Sequence, residues 1–167
     1  MARADDAAQR LLRRFGVVEA PVEPEPIAEG LGAIVVIHEL EPDVSGMLVR
    51  EGDELIIGVN KHHAPVRRRF TVAHELGHLE LHRGRALILD TPVRVDFRDR
   101  VSSLATDQEE IEANRFAAAL LMPQEMVVQA AVGASRDPDE LVRSLARRFK
   151  VSPAAMGYRL INLGVLS

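Results

Sequence analysis

Apolar and polar residues alternate along this chain with two different periods, and the switch between them divides it into elements. Over residues 5–15, Ala7, Leu11, Leu12 and Phe15 recur at helical spacing, and Gly16 stops the run. The stretch 20–32 is Pro-rich at first and then holds one or two helical turns around Ile27–Leu31. Ala33–Ile37, ending at His38, is a β-branched run and predicts a strand. Val44–Arg50 and Glu54–Asn60 flank Glu51-Gly52-Asp53, and together they predict a hairpin. The helical period returns at Pro65, which suits a first turn because its missing N–H would be unpaired there anyway. Phe70, Ala73, Gly77 and Leu81 then form an apolar stripe.

Beyond it, residues 83–106 carry mixed charge, Pro92 and no sustained period; they read as a long loop with a short extended piece at Val93–Phe97. Asp107 or Thr106 can cap the next helix, and Glu109, Glu110 and Glu112 suit its N-terminal dipole. Pro123 ends or interrupts that helix, and Pro123–Val132 restarts one. The tail holds LVRSLARRF and PAAMGYRLINLG, two helices separated by Lys150-Val151-Ser152, a pattern like a helix-turn-helix. The fold class expected is α+β, with a small antiparallel sheet packed beside the helix that begins at Pro65.

Composition narrows the partners and the chemistry. The 167 residues suffice for one real core, and a net charge of −4 argues against nucleic acid as the default partner. No cysteine is present, so disulfides, thiolate metal sites and Cys nucleophiles are excluded together. No run is long enough to span a membrane and the N-terminus lacks a signal-peptide core, so a cytoplasmic location is expected.

Within the Pro65 helix stands His74-Glu75-Leu76-Gly77-His78, an H-E-x-x-H motif. Residues four apart stand one above the other on a helix, so His74 and His78 can point two imidazoles at one metal ion. Glu75 lies about 100° around the helix, beside the metal, where a base must be to deprotonate a metal-activated water. Gly77 costs about 1 kcal/mol of helix stability against Ala, and close approach of a second ligand-bearing helix is what its lack of a side chain permits. Thr71, His74, His78 and His82 share a face directed at a cleft. His82 has three readings: ligand, second-layer donor to a ligand, or surface histidine.

A catalytic zinc takes three protein ligands and leaves a position for water. The extended H-E-x-x-H-x-x-G-x-x-H form fails, because Gly84 stands where its last His would be. The acidic helix from Asp107 is the natural source of a carboxylate. Glu110 is favoured: Ala113, Asn114, Ala117 and Leu121 follow along its face, small enough to approach Gly77, and Asn114 one turn on can fix a neighbouring ligand. Glu112 shares its face with Arg115 and Phe116, where an ion pair is the ordinary account of it.

The ordered set RRRFTVAHELGHLELH, EEIEANRFAAALLMP and ARRFKVSPAAMGYRLINLG, preceded by LLRRFGV, PVEPEPIAEGLG, VSGML and IIGVN, resembles the ImmA/IrrE family of metallo-endopeptidases over nearly the whole chain. The resemblance implies a zincin-like domain over 1–136, followed by a helix-turn-helix-like segment over 137–167. It implies a cytoplasmic Zn²⁺ enzyme that cuts a partner protein, often a helix-turn-helix repressor. On this chain His74 and His78 match the histidine ligands, Glu75 the general base, and Glu110 the third ligand, four residues before the family's asparagine at Asn114. Tyr158, His62, His63 and Arg67–Arg69 are candidates for oxyanion stabilisation. The rival expectation is a non-proteolytic regulator acting through partner or DNA binding, whose closed metal site would need a fourth ligand such as His82. The oligomeric state is not legible.

Overall fold

The computed structural model describes residues 2–84, 86–90 and 105–167. In chain order these form α1 (Ala2–Arg14), α2 (Pro24–Gly30), β1 (Ala33–His38), β2 (Gly46–Glu51), β3 (Glu54–Asn60), α3 (Pro65–Leu81), β4 (Leu87–Asp90), α4 (Asp107–Leu121), α5 (Gln124–Val132), α6 (Pro138–Phe149) and α7 (Pro153–Asn162). The architecture is α+β.

Helix α3 lies at the centre. From Thr71 to Leu79 every residue is buried, including the three ionisable ones. The apolar stripe accounts for one face only; the rest is enclosed because the sheet packs on one side and α4 on another. Helix α1 covers α4 with Ala4, Ala7, Ala8, Leu11 and Leu12, the face its period predicts.

The sheet order is β1-β3-β2-β4. Strands β2 and β3 form the expected hairpin, turning through Gly52 at a φ of 59°, which only glycine adopts without strain. Strand β3 inserts between β1 and β2, and it pairs parallel with β1. The sheet is therefore mixed rather than antiparallel throughout, as periodicity alone had suggested. A hairpin delivers β3 antiparallel to β2, but where β1 joins is a long-range matter. The row Val35–Ile57–Leu48–Ile88 crosses all four strands, and its last three members are fully buried.

Strand β4 falls in the stretch read from sequence as a loop; four residues are too few to establish a period. The extended piece expected at Val93–Phe97 lies outside the described residues. In the tail, Leu141, Leu145, Phe149, Met156 and Leu160 join the same buried cluster as the sheet and α3. Arg69 of α3 reinforces this, donating to the carbonyls of Val22 and Lys150 and pairing with Glu23. No helix among the described residues is long and apolar enough to cross a membrane.

Candidate metal centre

Two helices build the site. The i, i+4 spacing on α3 stacks His74 and His78, with ring centroids 4.7 Å apart and planes at 83°. Their Nε2 atoms face each other at 3.1 Å. Helix α4 brings Glu110 across: Oε2 lies 3.2 Å from His74 Nε2 and Oε1 lies 3.1 Å from His78 Nε2. The three donor atoms lie within 4.8 Å of one another. Two nitrogens bound to one tetrahedral zinc at about 2.0–2.1 Å would stand about 3.3 Å apart, so this spacing fits a metal with little movement.

The start of α4 explains why Glu110 is the acid that arrives. Thr106 caps the helix by accepting from Glu109 N, and Glu109 reaches back to Thr106 N at 2.7 Å. This capping box occupies Glu109 at the helix end. Glu110, one position on, turns about 100° towards α3. Glu112 goes elsewhere: its Oε2 lies 2.9 Å from His82 Nε2 and 3.5 Å from Arg3 Nη1. The ion pair expected between Glu112 and Arg115 is not formed, because Arg115 pairs with Asp5 of α1 at 2.8 Å.

Close approach of the helices depends on Gly77. A Cβ there would stand 3.0 Å from Ala113 Cα and 3.1 Å from the Ala113 carbonyl oxygen, both backbone atoms that cannot swing aside. Gly77→Ala should push α4 away and carry Glu110 with it. Overpacking of this kind costs about 1–3 kcal/mol, only partly offset by the better helix propensity of Ala. Gly157→Ala on α7 meets nothing within 4 Å and should instead stabilise by up to about 1 kcal/mol. Thermal melts of both metal-free variants check the pair; a Gly77→Ala protein as stable as the parent would mean the helices are not held in contact here.

The outer nitrogens of both histidines are engaged. His74 Nδ1 lies 2.9 Å from Asn114 Oδ1, an acceptor only, so Nδ1 carries the proton and Nε2 offers a lone pair. This places Asn114 in the orienting role expected for it. His78 Nδ1 faces His82 Nδ1 at 2.8 Å. His82 is buried, and it points at His78 rather than into the donor cluster, so among the described residues the cluster holds three groups and not four.

The surroundings push the acid of this cluster towards its ionised form and His78 towards its neutral one. Burial pushes the Glu110 carboxyl up, but hydrogen bonds and charge from His74 and His78 outweigh it and hold the group well below the usual carboxylate range. Burial is the main influence pulling His78 down, towards the neutral imidazole a metal requires; the charges of His74 and His82 add to it, against Glu110. Glu112 is lowered first by its hydrogen bond from His82.

Glu75 is fully buried beside the cluster. Its wall is the first residue of β2: a Cβ on Gly46 would collide with the Thr71 side chain and stand 3.1 Å from Glu75 Oε1. Gly46 escaped the sequence reading because no local pattern distinguishes a strand glycine that faces a helix. Asn60 escaped it too. Buried at the end of β3, it donates to the Val44 carbonyl and accepts from His62 N, fixing the entry to α3. Of the oxyanion candidates, Arg69 is committed to the contacts already described, His62 pairs with Glu39, and Tyr158 stands exposed on α7.

Residues 28–161 match the Peptidase_M78 family model, described as an IrrE N-terminal-like domain. An uncharacterized immunity region protein 2 of Bacillus phage phi105 is 30% identical over 123 residues, which make up 74% of this chain and 70% of that protein. A Mycobacterium tuberculosis transcriptional regulator superposes with a TM-score of 0.66 at 23% identity, a likeness of fold alone. The superposition covers 96% of this chain but only 46% of that one, so this chain spans less than half its length.

Proposed function

The chain belongs to the Peptidase_M78 (IrrE N-terminal-like) metallopeptidase family, and from that premise we propose that it is a zinc-dependent endopeptidase that cuts a partner protein, a helix-turn-helix repressor. One observation carries the reading. Three buried or half-buried donors bring one ligand atom each within 4.8 Å of the others, and the carboxylate of Glu75 is fully buried on the same helix as the two histidines.

In this reading His74, His78 and Glu110 hold the metal. A zinc ion held there would lower the pKa of a bound water to about 7 and polarise the scissile carbonyl. Glu75 accepts the proton of the attacking water and hands it to the leaving amine. Asn114 keeps the ring of His74 turned so that its Nε2 stays directed at the cluster. A donor set of two nitrogens and one carboxylate, without thiolate, suits zinc and keeps one position for water. Among the described residues no fourth donor joins these three, which favours the enzyme over the regulator with a closed metal site.

Among the described strands the sheet edges are β1 and β4. Strand β4 pairs its Asp90 with Gly46, the residue that walls Glu75. An extended substrate segment added to β4 would thus lie nearest the base, held by backbone hydrogen bonds largely indifferent to sequence.

The tail serves protein recognition rather than DNA reading. Helix α7 occupies the place of a recognition helix, yet its only basic residue, Arg159, is buried and donates to the Met122 carbonyl at 2.9 Å. Its exposed residues include Tyr158 and Ile161, which suit a protein surface better than base edges. Reversing charge at the exposed Arg147 and Arg148 should leave zinc content unchanged and slow cleavage of the protein substrate more than cleavage of a short peptide spanning the cut. Tight, sequence-selective DNA binding at physiological salt would instead support the regulator reading. The activity itself is tested by incubating the chain with candidate helix-turn-helix repressors, with and without chelator. Fragments that form only when metal is present are expected, and equal fragmentation in chelator would remove the proposal.

A further inference from the structure

A chain of ring nitrogens and carboxylate leads outward from the metal centre through His78. His78 Nδ1 lies 2.8 Å from His82 Nδ1, and His82 Nε2 lies 2.9 Å from Glu112 Oε2. Glu112 is anchored in turn, since Gln108 Nε2 donates to its Oε1 at 3.3 Å and Arg3 Nη1 stands 3.5 Å from its Oε2. Arg3 is itself fixed, donating from Nη2 to the Leu81 carbonyl at 2.6 Å. Three helices, α1, α3 and α4, thus converge on one carboxylate that makes no contact with the donor cluster.

We propose that His82 and Glu112 are positioning residues that hold the His78 ring in the single tautomer able to bind a metal. Only one proton fits between two nitrogens 2.8 Å apart. A neutral His78 that binds metal through Nε2 carries its proton on Nδ1, so His82 Nδ1 must accept it. His82 then carries its own proton on Nε2, which faces Glu112. An ionised carboxylate accepts that hydrogen bond and cannot donate one, so Glu112 sets the direction of the whole chain. Turned the other way, His82 Nδ1 would donate to His78, a lone pair of His82 would face the carboxylate, and the proton of His78 would sit on Nε2, where the metal belongs. The charge also makes the His78 nitrogen a stronger donor, as outer carboxylates do for metal-bound imidazoles. Glu112 thereby does for His78 through His82 what Asn114 does for His74 directly.

The inference rests on His78 being a ligand, and the experiment keeps the two apart. Zinc affinity is measured by competition with a chromophoric chelator for the parent, Glu112→Gln, His82→Leu and His82→Asn proteins. The parent titration tests the ligand reading alone, and a parent that binds no zinc overturns both. Glu112→Gln, which keeps shape but loses the charge that sets direction, should bind zinc about 10–100-fold more weakly. His82→Leu should lose at least as much, and His82→Asn should recover part of it, because its Oδ1 can accept from His78 Nδ1. Long-range ¹H–¹⁵N spectra of the zinc-loaded parent should place the proton of His82 on Nε2, and Glu112→Gln should let it populate Nδ1. A pair that merely fills space would move melting temperature but not the site of that proton. Zinc binding by Glu112→Gln within twofold of the parent, or a His82 proton on Nδ1 in the loaded parent, overturns the proposal.

Discussion

Glu75→Gln should retain the metal and the fold and lose peptide cleavage by about 10²–10⁴-fold or more. The substitution is isosteric, so the wall formed by Gly46 and Thr71 needs no adjustment. Glu75 is not one of the three converging donors, so metal content should stay at about one per chain. What changes is basicity: an amide cannot take a proton from the attacking water. Metal content by elemental analysis, a thermal melt and a cleavage assay on the same preparation separate these effects. Cleavage at the parent rate would remove Glu75 from the mechanism and leave the base to be found elsewhere.

His78→Ala should lose most of the metal, a larger effect than any other single change in the cluster. It deletes one of three donors and also the ring through which His82 and Glu112 act on the centre. Because metal binds the native chain and not the unfolded one, its loss also withdraws stability. At metal concentrations 100 times the dissociation constant the linkage is worth about 2.7 kcal/mol. The melting temperature of the parent should therefore fall on adding chelator, whereas that of His78→Ala should not respond. Glu110→Ala should follow His78→Ala in metal content, and Glu112→Ala should lose less than either. Full metal content in Glu110→Ala beside loss in Glu112→Ala would show that the carboxylate ligand has been assigned to the wrong residue.

The three glutamates of α4 mark the boundary between local and global information. Their spacing shows that Glu109, Glu110 and Glu112 leave the helix in different directions, because 100° of turn per residue is a local property. It does not show what stands in each direction. The structure answers with a helix cap for Glu109, the histidine pair for Glu110 and His82 for Glu112. The bland pairing of Glu112 with Arg115 failed for the same reason: Asp5, more than 100 residues away in sequence, is the nearer partner in space.

By itself the sequence determined every described element but β4, and the chemistry that lies within one element. The H-E-x-x-H helix, its Pro65 start, the stacked histidines and the offset of Glu75 all follow from the geometry of a single helix. The need for a close partner at Gly77 was legible because a glycine inside a good helix is costly without one. Only the tertiary structure decided the parallel pairing of β1, the strand character of Leu87–Asp90, and the placing of Gly46 against Glu75. It also buried His82 between His78 and Glu112. Periodicity records which face of an element is apolar, and it carries no record of which distant residue that face will meet. Pairing partners, strand direction and hydrogen-bond relays are set when whole elements pack, by contacts whose members lie tens of residues apart.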